Sequence, residues 1–211
     1  MFRKLFNPDS DLMIVMTWIT DAIFLSLFWI IGCVPVVTIG ASTAALYDAS
    51  YRAFRHKNKH SWQRFVYTFK NSLKGGIVPG IFVLAMMLVG GWILVKLWNN
   101  AVLSGAWLVF AVGAVIGVVL LGILSVVLPM VSRFENRSMT TIRNAFAVAM
   151  ANLPRTVLLG VVQALTIFAC VRLILPVLVL PSLSAVLSSL LIEPMFKPYL
   201  PEDFYEMMSD D

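Results

Sequence analysis

Residues 12–37 read LMIVMTWITDAIFLSLFWIIGCVPVV, with Asp21 as the only charged side chain in the run. A soluble helix carries a polar face; this stretch carries none. It also exceeds the roughly 20 apolar residues that a helix needs to cross a hydrocarbon core of about 30 Å. The run therefore predicts a transmembrane helix and places the chain in a lipid bilayer, which is its first partner.

The flanks set the limits of that helix. Asn7 can cap it, Pro8 suits its first turn, and Asp9 and Asp11 complement the positive end of the helix dipole. A cleaved leader would have a shorter apolar core and a small-residue cleavage site, so the segment reads as an uncleaved span. Pro35 cannot continue the helix, and Gly40 gives the backbone freedom to turn. Ser42-Thr43 then opens a second helix, Ala44 to Phe54.

The remainder of the chain repeats the theme. Of its 211 residues, 60% are hydrophobic and 13% charged, against roughly half and a quarter in soluble domains. Further apolar runs cover Gly76 to Trp98, Ala101 to Val131 and Val157 to Ile192. No low-complexity linker divides them. The reading is one all-α polytopic membrane helix bundle over residues 1–195, followed by a cytoplasmic tail at 196–211 within the acidic, proline-broken stretch Glu193 to Asp211.

The net charge of +5 does not point to nucleic acid, because the basic residues cluster between apolar runs rather than on a soluble face. Arg52 to Lys74 follow the second helix, and Arg133 to Arg155 separate two later runs. The turns at Pro35 to Gly40, Asn99 to Ser104 and Pro176 to Pro181 carry no Lys or Arg. If the second helix lies on the membrane surface, the chain has five spans; if it returns across the membrane, it has six. Six spans in three hairpins put every basic segment on one face, as the positive-inside rule requires, and are favoured. The chain is then a multi-pass protein of the cytoplasmic membrane with both termini inside. Two stripes at helical spacing, around Trp62 to Leu73 and Ile142 to Leu153, predict amphipathic helices at the cytoplasmic interface.

Candidate functional residues are few. Asp21 falls near the middle of the first span, where an ionisable group faces a bundle interior or a water path. With no second acidic partner it makes a poor proton relay, so hydrogen-bonded glue between helices is the stronger reading and ion coupling the weaker. Asp48 and Arg52 are spaced i, i+4 and predict a local salt bridge. Pro35 and Gly40 shape the bend. Gly76-x-x-x-Gly80 and Gly113-x-x-x-Gly117 allow close helix packing inside the bundle. His56 and His60 lack a nearby Cys or carboxylate, so no metal is expected, and Cys33 and Cys170 read as small buried hydrophobes. No phosphate loop, serine-hydrolase elbow or zinc-protease motif occurs, so neither an enzyme nor a cofactor is expected.

Phe6-Asn7-Pro8-Asp9-Ser10, Leu12-Met13, Asp21, the block Pro35-Val36-Val37-Thr38-Ile39-Gly40-Ala41-Ser42-Thr43-Ala44-Ala45-Leu46-Tyr47, and Phe69-Lys70-Asn71 together resemble the YesL-like family of bacterial integral membrane proteins, DUF624. The resemblance is strongest over the first third of the chain. It implies a small polytopic protein whose genes often neighbour those of carbohydrate ABC importers, and it brings no functional residues to transfer. The expected function is a non-enzymatic accessory protein of carbohydrate ABC uptake, with ABC sugar permease subunits as partners. The alternative is a small transporter or channel with Asp21 in its path.

Overall fold

The computed structural model describes residues 11–55, 61–134, 138–172 and 175–200. The expected helix start at Asn7-Pro8, the His56/His60 pair and residues 201–211 of the tail lie outside the described residues. Seven α-helices make up the described fold: α1 (Asp11–Cys33), α2 (Ile39–Arg55), α3 (Ser61–Ser104), α4 (Trp107–Arg133), α5 (Ser138–Ala151), α6 (Leu153–Arg172) and α7 (Leu180–Phe196). The all-α helical bundle is as expected.

Four helices, α1, α3, α4 and α6, are long and apolar enough to cross a membrane. The other two members of the expected hairpins, α2 and α7, have 17 residues each. At 1.5 Å per residue that is about 25 Å, short of a full hydrocarbon core.

The first predicted interfacial helix is not separate. Residues 61–104 form one helix of 44 residues, roughly 66 Å long and about twice the thickness of the bilayer core. The amphipathic stripe is simply its first third. Pro79 lies inside this helix without ending it. Its missing N–H frees the carbonyl of Gly75, which accepts a hydrogen bond from the Ser138 hydroxyl at 3.4 Å. The second amphipathic segment is a helix of its own, α5, joined almost directly to α6.

The α1–α2 hairpin packs on the first half of α3. Down its length, Asp21 meets Ser61, Phe28 meets Phe65 at 5.9 Å between ring centroids, and Gly32 meets Phe69. Helix α2 runs the opposite way, with Gly40 against Gly76 and Gly80, and Asp48 against Thr68 and Arg64. A Cβ on Gly40 would collide with the Gly76 carbonyl and come within 2.7 Å of the Gly80 Cα. Only three glycines let these backbones touch. The apolar half of α3 pairs instead with α4, where Gly113 and Gly117 receive Leu97 and Leu94. Both expected glycine pairs thus act inside the bundle. A second close crossing sets Gly122 of α4 against the Thr156 carbonyl and Gly160 of α6 against that of Val118.

Helix α2 lies inside the bundle rather than at its rim. From Gly40 to Ala53 every residue is buried except Thr43, which is half-buried. Ala41, Ser42, Ala44, Ala45, Ala49, Ser50 and Ala53 have small side chains, which lets neighbours close in on every side. α1, α3, α4 and α7 all pack against it. α2 is the central helix.

Candidate functional site

The turn that leads into α2 explains its sequence residue by residue. Pro35 ends α1, and a 3-10 turn, Val36–Thr38, follows. The Thr38 hydroxyl donates to the carbonyls of Gly32 at 2.7 Å and Pro35 at 2.8 Å, covering acceptors that the helix end leaves open. One turn on, the Ser42 hydroxyl donates to the Trp29 carbonyl at 3.0 Å, and the Trp29 indole N–H donates to Thr43 Oγ1 at 3.1 Å. Pro35 and Gly40 are therefore architectural: one ends α1, the other seats α2 on α3.

Below this hinge, α2 carries Asp48 into the interior, where it is 1% exposed. Its carboxylate accepts from the Arg64 Nε at 2.8 Å and the Thr68 hydroxyl at 2.7 Å, both on α3, and from the Arg133 Nη1 at the end of α4. Arg52, the expected i, i+4 partner, is the most distant of these, at 3.5 Å. The salt bridge read from spacing is real but is the smallest part of the arrangement. Asp48 lies outside the four candidate spans. Burial pushes its carboxyl up, but Arg133, Arg64, Arg52 and the Thr68 hydroxyl outweigh that and hold it at about 2.

Arg133 extends the network to a second carboxylate. Its Nη2 and Nε donate to Glu193 Oε1 at 2.8 and 3.1 Å, and the Tyr47 hydroxyl donates to the same oxygen at 3.1 Å. The guanidinium also lies 4.9 Å from the centre of the Tyr51 ring. Arg133 thus ties α2, α4 and α7 together, and Asp48 adds α3. The acidic-tail reading is corrected here. Glu193 belongs to α7, is 4% exposed and serves as a structural counter-ion. Arg133 likewise is buried rather than a loop charge on the basic face.

This set of groups is buried and carries one more positive than negative charge. Three guanidiniums face two carboxylates, with a threonine and two tyrosines filling the remaining contacts. Removing one member of such a buried set leaves an uncompensated charge, which costs roughly 3–5 kcal/mol. No group of three or more His, Cys, Asp or Glu side chains able to hold a metal occurs among the described residues.

Asp21 lies apart from the network. It is half-buried beside Ser61, the first residue of α3, in a recess formed with Phe24, Leu25, Phe28 and Trp62. Its neighbour is thus the start of the long helix, whose unpaired N–H groups favour an anion.

A cavity of about 380 Å³ lies on the other side of α2. Its walls come from Trp29 of α1, Thr43 and Tyr47 of α2, Val83 and Met87 of α3, Leu124 and Leu128 of α4, Gln163 to Val171 of α6, and Ser184 to Ser188 of α7. The Gln163 amide donates to the Ser188 hydroxyl at 3.0 Å across it. Tyr47 joins the two features: its ring lines the cavity and its hydroxyl reaches Glu193. The cavity and the Asp21 recess share no lining residue.

The segment that builds the hinge and the central helix is also the part of the chain that matches a family model. Residues 22–95 match the family described as a protein of unknown function, DUF624. The match begins just after Asp21, takes in the rest of α1 and all of α2, and ends within α3. It includes Asp48, Arg52, Arg64 and Thr68, whereas Arg133 and Glu193 come from the part of the chain beyond it. No curated protein and no solved structure matches the chain.

Proposed function

We propose that this DUF624-matching chain is a non-enzymatic accessory protein of the cytoplasmic membrane, serving carbohydrate ABC uptake by docking on a permease. The observation that favours a scaffold is the buried ionic network around α2. Arg64, Arg133, Asp48 and Glu193 are bonded to one another, and together they link four helices. A carrier needs two arrangements of comparable energy, and a network this deeply buried opposes a second one. The assignment to sugar uptake rests on the family resemblance of the first third of the chain.

The reading of Asp21 as a transport carboxylate gains no support from its surroundings. It sits at the start of α3, in a recess separate from the central cavity. Affinity purification of the tagged chain from native membranes, combined with growth of a deletion strain on complex sugars, tests the proposal. Recovery of permease subunits and slowed growth are expected. Recovery of no transporter subunit together with unchanged growth would refute the accessory role.

A further inference from the structure

The central cavity has the character of a binding site that the accessory role does not use. Its volume of about 380 Å³ falls within the range of roughly 300–1,000 Å³ typical of small-molecule sites. No charged side chain is among its described lining residues. The polar side chains in its lining are neutral and already hydrogen-bonded within the protein: Trp29 to Thr43, Tyr47 to Glu193, Gln163 to Ser188, and the Ser125, Thr166 and Ser184 hydroxyls to backbone carbonyls. A sugar needs many hydrogen-bond partners and an ion needs charge, so both fit poorly. Water gains little from such walls, because buried water depends on several polar partners.

The exposed part of the lining points to the occupant. Among the described lining residues, Ile167 and Val171 are the exposed ones, Val171 to 79%. Both belong to α6, one of the four helices apolar enough to cross a membrane, and their exposed neighbours Leu165 and Phe168 are also apolar. All four candidate spans contribute to the walls. Exposed apolar lining on a membrane-crossing helix faces hydrocarbon rather than water. We infer that the cavity holds one hydrocarbon chain of a bilayer lipid, admitted sideways past Ile167 and Val171. The inner wall is then Tyr47, so the chain packs against the residue that connects to the Arg133–Glu193 pair.

The inference does not depend on the accessory role and is tested without it. The full chain is purified in detergent by size exclusion, and lipid bound per folded protein is read by native mass spectrometry. Thr166→Phe on α6 and Met87→Trp on α3 each fill the cavity from a different wall, while Val115→Trp adds bulk at an exposed site on α4 outside it. The expected result is retained lipid in the unsubstituted protein and in Val115→Trp, and at least about tenfold less in both cavity variants. Two variants on separate helices guard against one of them failing to fold. If the unsubstituted protein retains no lipid, or if Val115→Trp lowers retention as much as the cavity variants do, the inference is overturned. Equal retention in all four proteins, which signifies surface lipid only, also overturns it, as does recovery of a soluble metabolite in place of lipid.

Discussion

Replacing Arg133 by methionine removes the cation that bridges Asp48 and Glu193 while keeping an unbranched apolar side chain in the same space. Arg133 is buried and bonds both carboxylates, so its loss leaves Glu193 without its guanidinium and Asp48 with only Arg64 and Arg52. Breaking a buried pair in this way costs roughly 3–5 kcal/mol. For a chain of this size each kcal/mol lowers the melting temperature by about 2–4 °C, so the expected drop is on the order of 6–20 °C. The assay is thermal unfolding in detergent followed by intrinsic tryptophan fluorescence. Adding Glu193→Gln to Arg133→Met removes the stranded charge, and the double variant should recover part of the loss, with a coupling energy of about 1–3 kcal/mol. If Arg133→Met melts within about 2 °C of the parent, the network does not stabilise the bundle and the reasoning fails.

Three further outcomes follow from the same geometry. The Asp48 carboxyl is held at about 2, below its ordinary value, so its contribution to stability is present above about pH 4 and is lost as pH falls toward 2. Melting curves between pH 6 and pH 2 should show a component of this kind that Asp48→Asn removes; identical pH profiles would contradict it. Gly40→Ala forces a Cβ into the Gly76 carbonyl and should cost about 1–3 kcal/mol, read as a lower melting temperature, whereas Gly90→Ala, where a Cβ meets nothing within 4 Å, should not. Asp21→Asn should cost no more than about 1 kcal/mol, the scale of a carboxylate at a helix start, and a larger loss in the same unfolding assay would show that Asp21 has a deeper role.

The sequence made the membrane-embedded helical bundle, the Pro35-to-Gly40 turn and the internal use of the glycine pairs legible. These follow from local rules: apolar length, the missing N–H of proline, and the absence of a side chain at glycine. It did not reveal how α2 sits. A 17-residue helix rich in alanine and serine with one ion pair reads as a marginal or interfacial segment, because periodicity cannot show that neighbours cover every face. Nor did it connect Asp48 to Arg133, 85 residues away, or Tyr47 to Glu193, 146 residues away. A charge at the end of an apolar run looks like an interface anchor or the start of a tail. Only the three-dimensional arrangement brings Arg133 and Glu193 to the same interior point. One signal was available: Glu193 adjoins an apolar run and is followed by only one more polar position, Lys197, before Tyr199, so it had a claim to be the last turn of a helix. Continuity of α3 was also hidden, since an amphipathic stripe followed by an apolar run from Gly76 reads as two helices, whereas residues 61–104 form one.

The central claim is that α2 is enclosed by the bundle. Single cysteines at Ala45 and Ala49, both 0% exposed, in a background with Cys33 and Cys170 replaced by alanine, test it in native membranes. The account predicts that neither cysteine reacts with water-soluble or membrane-permeant maleimide until the protein is denatured, while a cysteine at the exposed Lys70 position of α3 reacts readily. Labelling of Ala45→Cys and Ala49→Cys at the rate of Lys70→Cys in the folded protein would contradict it.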